Sequence, residues 1–386
     1  MSSSSAPPIA VFGATGEVGR RVAAELARAQ VAVSIVGRRR EALDELGRAL
    51  PAARAHVAEA SDAAALTRAF AGARVVVNAA GPLRETLTPV LTAAIAAGAH
   101  YVDVGGEQPA LAAGYEQLDA QARRSGKVAL LGAGLDCALG DLAAAWAARQ
   151  LVGGGDVDPG ELVRDETPSA IVRIAEDRPI DDIAIGYVFD DLALTAGSQR
   201  ALFGAVGTRT LVWCRDRWEP GRAGDHRMVN AGPELGGERD AVAYAGGDPI
   251  TIPRHVAAQR VASYVSTTRS PGAAAALRLL SRALPFVPRR ASELLVPYAP
   301  ANADYARTQF AVIAHVRRGF ASAQIAVRGR DLYRTTAAIA AWFARRLVER
   351  RDGPTGMRAP AELVRAEPAL RAIAGTADLT IVPSFG

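Results

Sequence analysis

Three glycines, Gly13, Gly16 and Gly19, recur at three-residue spacing directly after the apolar run Ile9-Ala10-Val11-Phe12. The segment that follows, Arg20 to Gln30, places Val22, Leu26 and its alanines on one helical face. Strand, glycine turn and helix form the context in which a backbone turns tightly, approaches a pyrophosphate and offers it the free amides of a helix N-terminus. The spacing G-x-x-G-x-x-G is a variant of the usual G-x-G-x-x-G. It makes Gly13, Ala14, Thr15, Gly16, Glu17, Val18 and Gly19 the expected pyrophosphate contacts. The second apolar run, Ala32 to Val36, ends in Gly37-Arg38-Arg39-Arg40. A site for NAD usually has a carboxylate there, accepting from the ribose 2′-hydroxyl. Here Arg38 and Arg39 stand ready to grip a 2′-phosphate bidentately, so the expected cofactor is NADP(H).

Hydride chemistry also needs a group that gives or takes a proton. Asp136 follows Gly134 at the end of an apolar run, where desolvation would raise a carboxyl pKa; capping the next helix is the plain structural role open to it. Asp103 sits near the end of another run and is the second candidate, with a salt bridge as its structural role. Cys137 offers a thiol at the same place, or a small buried packing residue. Glu107, after two glycines, could meet substrate or cap a helix. Arg254 or His255 could bind a carboxylate or supply a proton.

These residues need a scaffold that gathers strand ends. The runs 9–12, 32–36, 74–77, 100–104 and 127–131 alternate with helical segments, which implies a parallel sheet with helices on both faces. Ligands of such sheets bind beyond the strands' carboxyl ends. The loops Asn78-Ala79-Ala80-Gly81-Pro82, Asp103 to Glu107 and Gly132 to Asp136 are therefore expected around the cofactor, with Asn78 to Pro82 along the ribose and nicotinamide. Beyond Gly153-Gly154-Gly155-Asp156 the pattern changes to short runs at 170–175, 183–189, 208–213, 241–245 and 261–267, followed by a hairpin at Arg318-Gly319. That is the pattern of a mostly antiparallel sheet. The expected fold is thus α/β: a Rossmann-type doubly wound parallel sheet with an inserted α+β substrate or dimerisation domain. Expected boundaries are 1–8 for a disordered lead-in, 9–152 for the dinucleotide-binding domain, 153–330 for the α+β domain and 331–386 for a helical segment returning to the first.

Four segments carry a family resemblance. They are Gly13-Ala14-Thr15-Gly16 with Gly19, Asn78 to Pro82, Gly98 to Glu107, and Gly134-Leu135-Asp136 with Asp141-Leu142. Together they resemble the saccharopine dehydrogenase-like reductases, which include saccharopine reductases and trans-acting enoyl reductases. Thr251-Ile252-Pro253-Arg254-His255 and Thr355 to Glu362 resemble further segments of the family. Asp141-Leu142 favours the enoyl branch, while Cys137 and Leu139 depart from both branches. The resemblance implies NADP(H)-dependent hydride transfer to a C=C (enoyl) or C=N (imine) bond of a small metabolite. A non-catalytic NADP sensor presenting its second domain to a protein partner, and an isomerase holding NADP structurally, are the rival readings.

Composition narrows the rest. The chain has 386 residues, 49% hydrophobic and 22% charged, with no apolar run long enough to span a membrane. Its two cysteines exclude a disulfide framework, and no zinc spacing is present, so no metal is expected. The net charge of +5 comes from arginines scattered in pairs, without any nucleic-acid-binding motif. No signal peptide is read at the N-terminus, and a cytoplasmic protein is expected. The stretch 271–300 is apolar and basic, which raises peripheral membrane contact. Five prolines break its amphipathic face, however, so a lid with one helix at 273–284, or a homodimer contact, is the favoured expectation.

Overall fold

The computed structural model describes residues 8–153, 173–190, 195, 198–199, 210–222, 224–268, 305–350 and 353–386. The lead-in before Pro8, the linker after Gly153 and the segment 271–300 with its expected helix lie outside the described residues. Contacts divide the chain into two units. The first contains residues 1–105, 109–134 and 333–358, and the second 106–108, 135–332 and 359–386.

The first unit is a seven-stranded parallel sheet. Its strands are β1 (Ile9–Phe12), β2 (Val33–Gly37), β3 (Arg54–Val57), β4 (Val75–Asn78), β5 (His100–Asp103), β6 (Val128–Leu130) and β15 (Gly356–Arg358), in the order β15-β6-β5-β4-β1-β2-β3. Helices α1 (Glu17–Arg28), α2 (Arg40–Ala49), α3 (Ala63–Phe70), α4 (Leu83–Ala96) and α5 (Gln108–Arg124) make the crossovers. β1 and β4 are buried along their whole length, as the unbroken apolar runs require of strands covered on both faces. The order reverses between β1 and β4, the switch point where such sheets open a crevice beyond their carboxyl ends.

The second unit is built on helix α6 (Leu135–Leu151) and a nine-stranded sheet. Strands β7 (Asp182–Phe189), β8 (Leu211–Cys214), β9 (Arg217–Pro220), β10 (His226–Asn230), β11 (Glu238–Ala243), β12 (Arg260–Thr267), β13 (Gln309–Arg318), β14 (Ala321–Arg330) and β16 (Thr380–Phe385) form it. The main path runs β10-β11-β12-β7-β13-β14-β16, with β8 and β9 attached to β12. Every pairing is antiparallel except β7 with β12. The expected hairpin at Arg318-Gly319 is the β13–β14 turn. Helix α6 is buried on all sides from Cys137 to Ala148, as an alanine-rich helix without a charged face must be. It lies against β13 and β14 and against helix α10 (Ala366–Ala377). The four-residue helices α7 (Asp248–Thr251) and α9 (Pro360–Leu363) also pack on it.

Two differences from the expected boundaries matter for the site. The first unit ends at Gly134, so α6, which carries Asp136, belongs to the second unit. The return after residue 330 is split. Helix α8 (Leu332–Glu349) and β15 lie with the parallel sheet, apart from Leu332 itself, while residues 359–386 lie with the second unit. Of the apolar stripe Ala338, Ile339, Trp342, Phe343 and Leu347 expected on α8, all but the half-buried Trp342 are buried.

Candidate active site

The glycine turn is fixed by its own backbone. Gly13 and Ala14 donate their N–H groups to the Val36 carbonyl at 2.9 and 3.1 Å, and Gly16 donates to the Gly13 carbonyl at 2.9 Å. Gly13 has φ +77°, and a Cβ there would meet Ala80 at 2.8 Å. A Cβ at Gly19 would collide with the Gly13 carbonyl, so the third glycine is what lets α1 start against the turn. Gly16 is different: it is exposed, and a Cβ there would near only the Gly13 oxygen, at 3.3 Å. It is the N-cap of α1 and no side chain caps that helix, which leaves first-turn amides for a ligand. At the end of β2, Arg38 and Arg39 are exposed, and neither has an ion-pair partner among the described residues. An uncapped helix start, a glycine with open space before it and two uncommitted guanidinium groups fit a dinucleotide bearing a 2′-phosphate.

The loop after β4 is held from beneath. The Asn78 side chain donates to Thr86 Oγ1 at 3.1 Å and to the Tyr101 hydroxyl at 2.9 Å, and accepts from the Ala80 amide at 3.1 Å. Buried and fully used, Asn78 shapes the loop without facing a ligand, contrary to the expectation of a ribose contact. Ala79 and Ala80 are half-buried, Gly81 is exposed with open space around it and Pro82 is buried. Asp103 is also structural, not catalytic as expected. Its Oδ1 accepts from the amides of Gly105 at 3.1 Å and Gly132 at 3.0 Å, and its carbonyl accepts from Ala133 at 2.7 Å. It ties the exits of β5 and β6 together. Tyr101, beside it, is held far above the usual phenol range by burial and by the Asp103 charge.

Within the second unit, the start of α6 gathers a set of acids. Asp136 is half-buried, and burial followed by the Glu107 charge lifts its carboxyl to about 6. Glu107 is half-buried beside it. Gly106 permits the contact, since a Cβ there would lie 2.5 Å from Asp136 Oδ2. Gln108 fixes this corner: its side chain donates to the carbonyls of Leu211 at 2.9 Å and Gly246 at 3.0 Å, and accepts from the Leu211 amide at 2.6 Å.

One turn further along α6, Gly140 leaves room for Asp248; a side chain there would collide with the Asp248 carboxyl and the Tyr187 hydroxyl. Asp248 accepts from Tyr187 at 2.9 and 3.1 Å and from Ser263 Oγ at 2.7 Å. It is completely buried, and that burial lifts its carboxyl to about 7 against the pull of those hydroxyls. Sequence reading missed this group. Asp248 lies far along the chain from Tyr187, and only the parallel β7–β12 pairing and the turn into α7 bring Tyr187, Ser263 and Asp248 together.

The remaining candidates are committed elsewhere. Cys137 is buried with Sγ 3.7 Å from Thr251 Oγ1, and its thiol is pushed far up by burial and then by Asp248 and Asp141. A protonated, enclosed thiol is no nucleophile, which corrects its place among catalytic candidates. Arg254 pairs with Glu362 through two nitrogens, at 2.7 and 3.3 Å. His255 is buried, its Nε2 2.8 Å from Asp141 Oδ1, and Asp141 Oδ2 accepts from the Ala361 amide at 2.8 Å. Neither residue serves as the substrate ligand expected of it: Arg254 ties the turn 252–255 to Glu362, and His255 ties it to Asp141 of α6. Among the described residues no group of His, Cys, Asp and Glu could hold a metal ion, and no helix is long and apolar enough to cross a membrane.

Residues 9–130 match the family described as the saccharopine dehydrogenase NADP binding domain. Comparison with curated proteins gives no match. Among solved structures, the chain is similar over 99% of its length to the whole of apo saccharopine dehydrogenase (L-Glu forming) from Saccharomyces cerevisiae, with a TM-score of 0.65 and 13% identity. At that identity the likeness establishes the fold of the full chain. Shorter alignments reach the Citrobacter sp. triphenylmethane reductase complexed with NADP(H), at 24% identity over 32% of this chain and 48% of that one, TM-score 0.27. They also reach an NADPH-dependent quinone oxidoreductase from Escherichia coli, at 23% identity over 37% of this chain and 54% of that one, TM-score 0.28. This chain spans about half the length of those two proteins.

Proposed function

We propose, on the premise that the chain carries a saccharopine dehydrogenase NADP-binding domain and is an NADP-dependent oxidoreductase of that kind, that it reduces the C=N bond of a small imine. The observation that carries this reading is the character of the acidic corner at the start of α6. Asp136 is reachable by solvent and titrates at about 6, and the charges acting on it, on Asp248 and on Cys137 are all carboxyls. Such a corner favours an acceptor that becomes cationic. An enoyl acceptor develops negative charge on oxygen and would be opposed by the same groups.

NADPH, which the Gly13–Gly19 turn with Arg38 and Arg39 would hold, would supply the hydride for the imine carbon. Asp136 gives its proton to the imine nitrogen, leaving a carboxylate beside the iminium it has made. Addition of the hydride to carbon moves the π pair onto nitrogen and yields the neutral amine. Being half-buried, the Asp136 carboxylate regains a proton from water. An acid near 6 divides its time between donor and conjugate base around neutral pH, which suits it to this cycle. Glu107 keeps the Asp136 proton in place between turnovers by opposing a second negative charge. Asp141-Leu142, the feature resembling the enoyl branch, carries no weight for the acceptor. Its carboxyl is spent on His255 and the Ala361 amide.

A panel of acceptors tests the reading. With NADPH, 1-pyrroline and 3,4-dihydroisoquinoline are expected to deplete the reduced-nicotinamide absorbance, while 2-cyclohexenone and a crotonyl thioester are not. Turnover confined to the enoyl probes would overturn the imine assignment. Tight NADPH binding with no oxidation by any acceptor would favour the non-catalytic sensor.

A further inference from the structure

Tyr244 is a half-buried aromatic ring at the acidic corner. It follows β11 and feels the charges of Asp136, Asp248 and Glu107. Its position is fixed from three sides. The Tyr244 amide donates to the Ser263 carbonyl at 2.9 Å, on the residue whose hydroxyl holds Asp248. Its ring meets that of Tyr187 edge-on, centroids 6.1 Å apart and planes at 71°. Gly246 makes space for it, since a Cβ there would lie 3.0 Å from Tyr244 Cε1. The buried Tyr187–Asp248–Ser263 group, unused in proton transfer, thus has a function as the support of this ring. A half-buried ring whose π face carries a partial negative charge, set among carboxyls, is the kind of arrangement that receives a cation.

Resting on the imine reading, we infer that Tyr244 is a specificity-determining residue, its ring the wall against which the acceptor's cationic nitrogen lies while Asp136 and Glu107 provide the counter-charge. The site then selects small cyclic or secondary iminium and ammonium groups over neutral rings of the same size. Tyr187 and Asp248 are positioning residues that act through Tyr244.

The test uses the full chain loaded with NADP+ and two probes of equal ring size, pyrrolidine, which is an ammonium ion at neutral pH, and neutral cyclopentanol, titrated calorimetrically. The unmodified protein is expected to prefer pyrrolidine. Tyr244→Phe keeps the ring and should retain that preference within about twofold, whereas Tyr244→Leu should lose about 3- to 30-fold of it without weakening cyclopentanol. General loosening of the fold would weaken both probes together, so the ratio reads the ring alone. An unchanged ratio in Tyr244→Leu overturns the inference, as does an unmodified protein without preference for pyrrolidine. A loss in Tyr244→Phe equal to that in Tyr244→Leu assigns the effect to the hydroxyl and also overturns it. The imine reading fails separately: the pyrrolidine preference would survive while 1-pyrroline is not turned over.

Discussion

Asp136 is separated from the other acids of α6 and α7 by being half-buried where they are fully buried, and on that ground we propose it as the proton donor. Asp136→Asn keeps the shape and removes the proton, so turnover of an imine probe should fall by roughly 10²–10⁴-fold with NADPH affinity nearly unchanged. Stopped-flow absorbance and a cofactor titration check the two halves of that statement. Asp248 makes a different prediction because it is sealed in. Its carboxyl is raised from the unfolded range of about 3.9 to about 7, so the native state holds that proton more tightly than the unfolded chain. The stability this provides is present in full below about pH 4 and is lost as pH rises through 7. Asp248→Asn resembles the protonated form. It should melt close to the unmodified protein near pH 4 and gain on it steadily toward pH 8, which thermal scans across that range would show. Asp141 is the third case. Removing it by Asp141→Ala strands the His255 Nε2 proton and the Ala361 amide in a buried place, an expected loss of about 3–5 kcal/mol in denaturant unfolding. From the sequence, Arg254 and His255 looked like ligands because they lie in a segment, Thr251 to His255, that resembles one of the family's. Nothing local revealed that Glu362 and Asp141 would claim them.

The start of α1 and the end of β2 are where sequence and structure agree best, because glycine spacing and the absence of an acid are local signals. Replacing Arg38 and Arg39 by alanine should remove about 1–3 kcal/mol of the preference for NADPH over NADH, read from the two dissociation constants. An equal loss for both cofactors would place the arginines away from the 2′-phosphate. Five of the parallel strands were legible as apolar runs. β3 was not, since Arg54, Ala55 and Val57 are exposed and no run marks a strand on the outer edge of the sheet. β15 was not, because three residues near the far end of the chain carry no period. In the second unit, the runs read at 183–189, 208–213 and 261–267 and the turn at Arg318-Gly319 correspond to β7, β8, β12 and the β13–β14 hairpin, with 208–209 outside the described residues. The Tyr187–Asp248–Ser263 group could not be read, being made by pairing between β7 and β12 and not by spacing.

The chain passes between its two units five times, at 105/106, 108/109, 134/135, 332/333 and 358/359. Neither unit is therefore a continuous piece of sequence, and a fragment cut at the boundary expected from composition would be incomplete in two ways. A fragment ending at residue 152 retains α6 with its apolar surface stripped of β13, β14 and α10, and it lacks β15. It should bind a hydrophobic dye and aggregate, whereas the full chain should not bind the dye. β15 also gives the protein a clock. β6 leaves the ribosome with one edge open, and the strand that covers it, through Gly356↔Val128, Met357↔Ala129 and Arg358↔Leu130, is made about 230 residues later. At typical synthesis speeds of about 5–20 residues per second, that edge waits roughly 10–45 s for its partner. If the first six strands pair before β15 is made, the open β6 edge would be a margin without its partner strand. Slowing translation between Leu130 and Gly356 should then cost yield of soluble protein more than slowing it before β6.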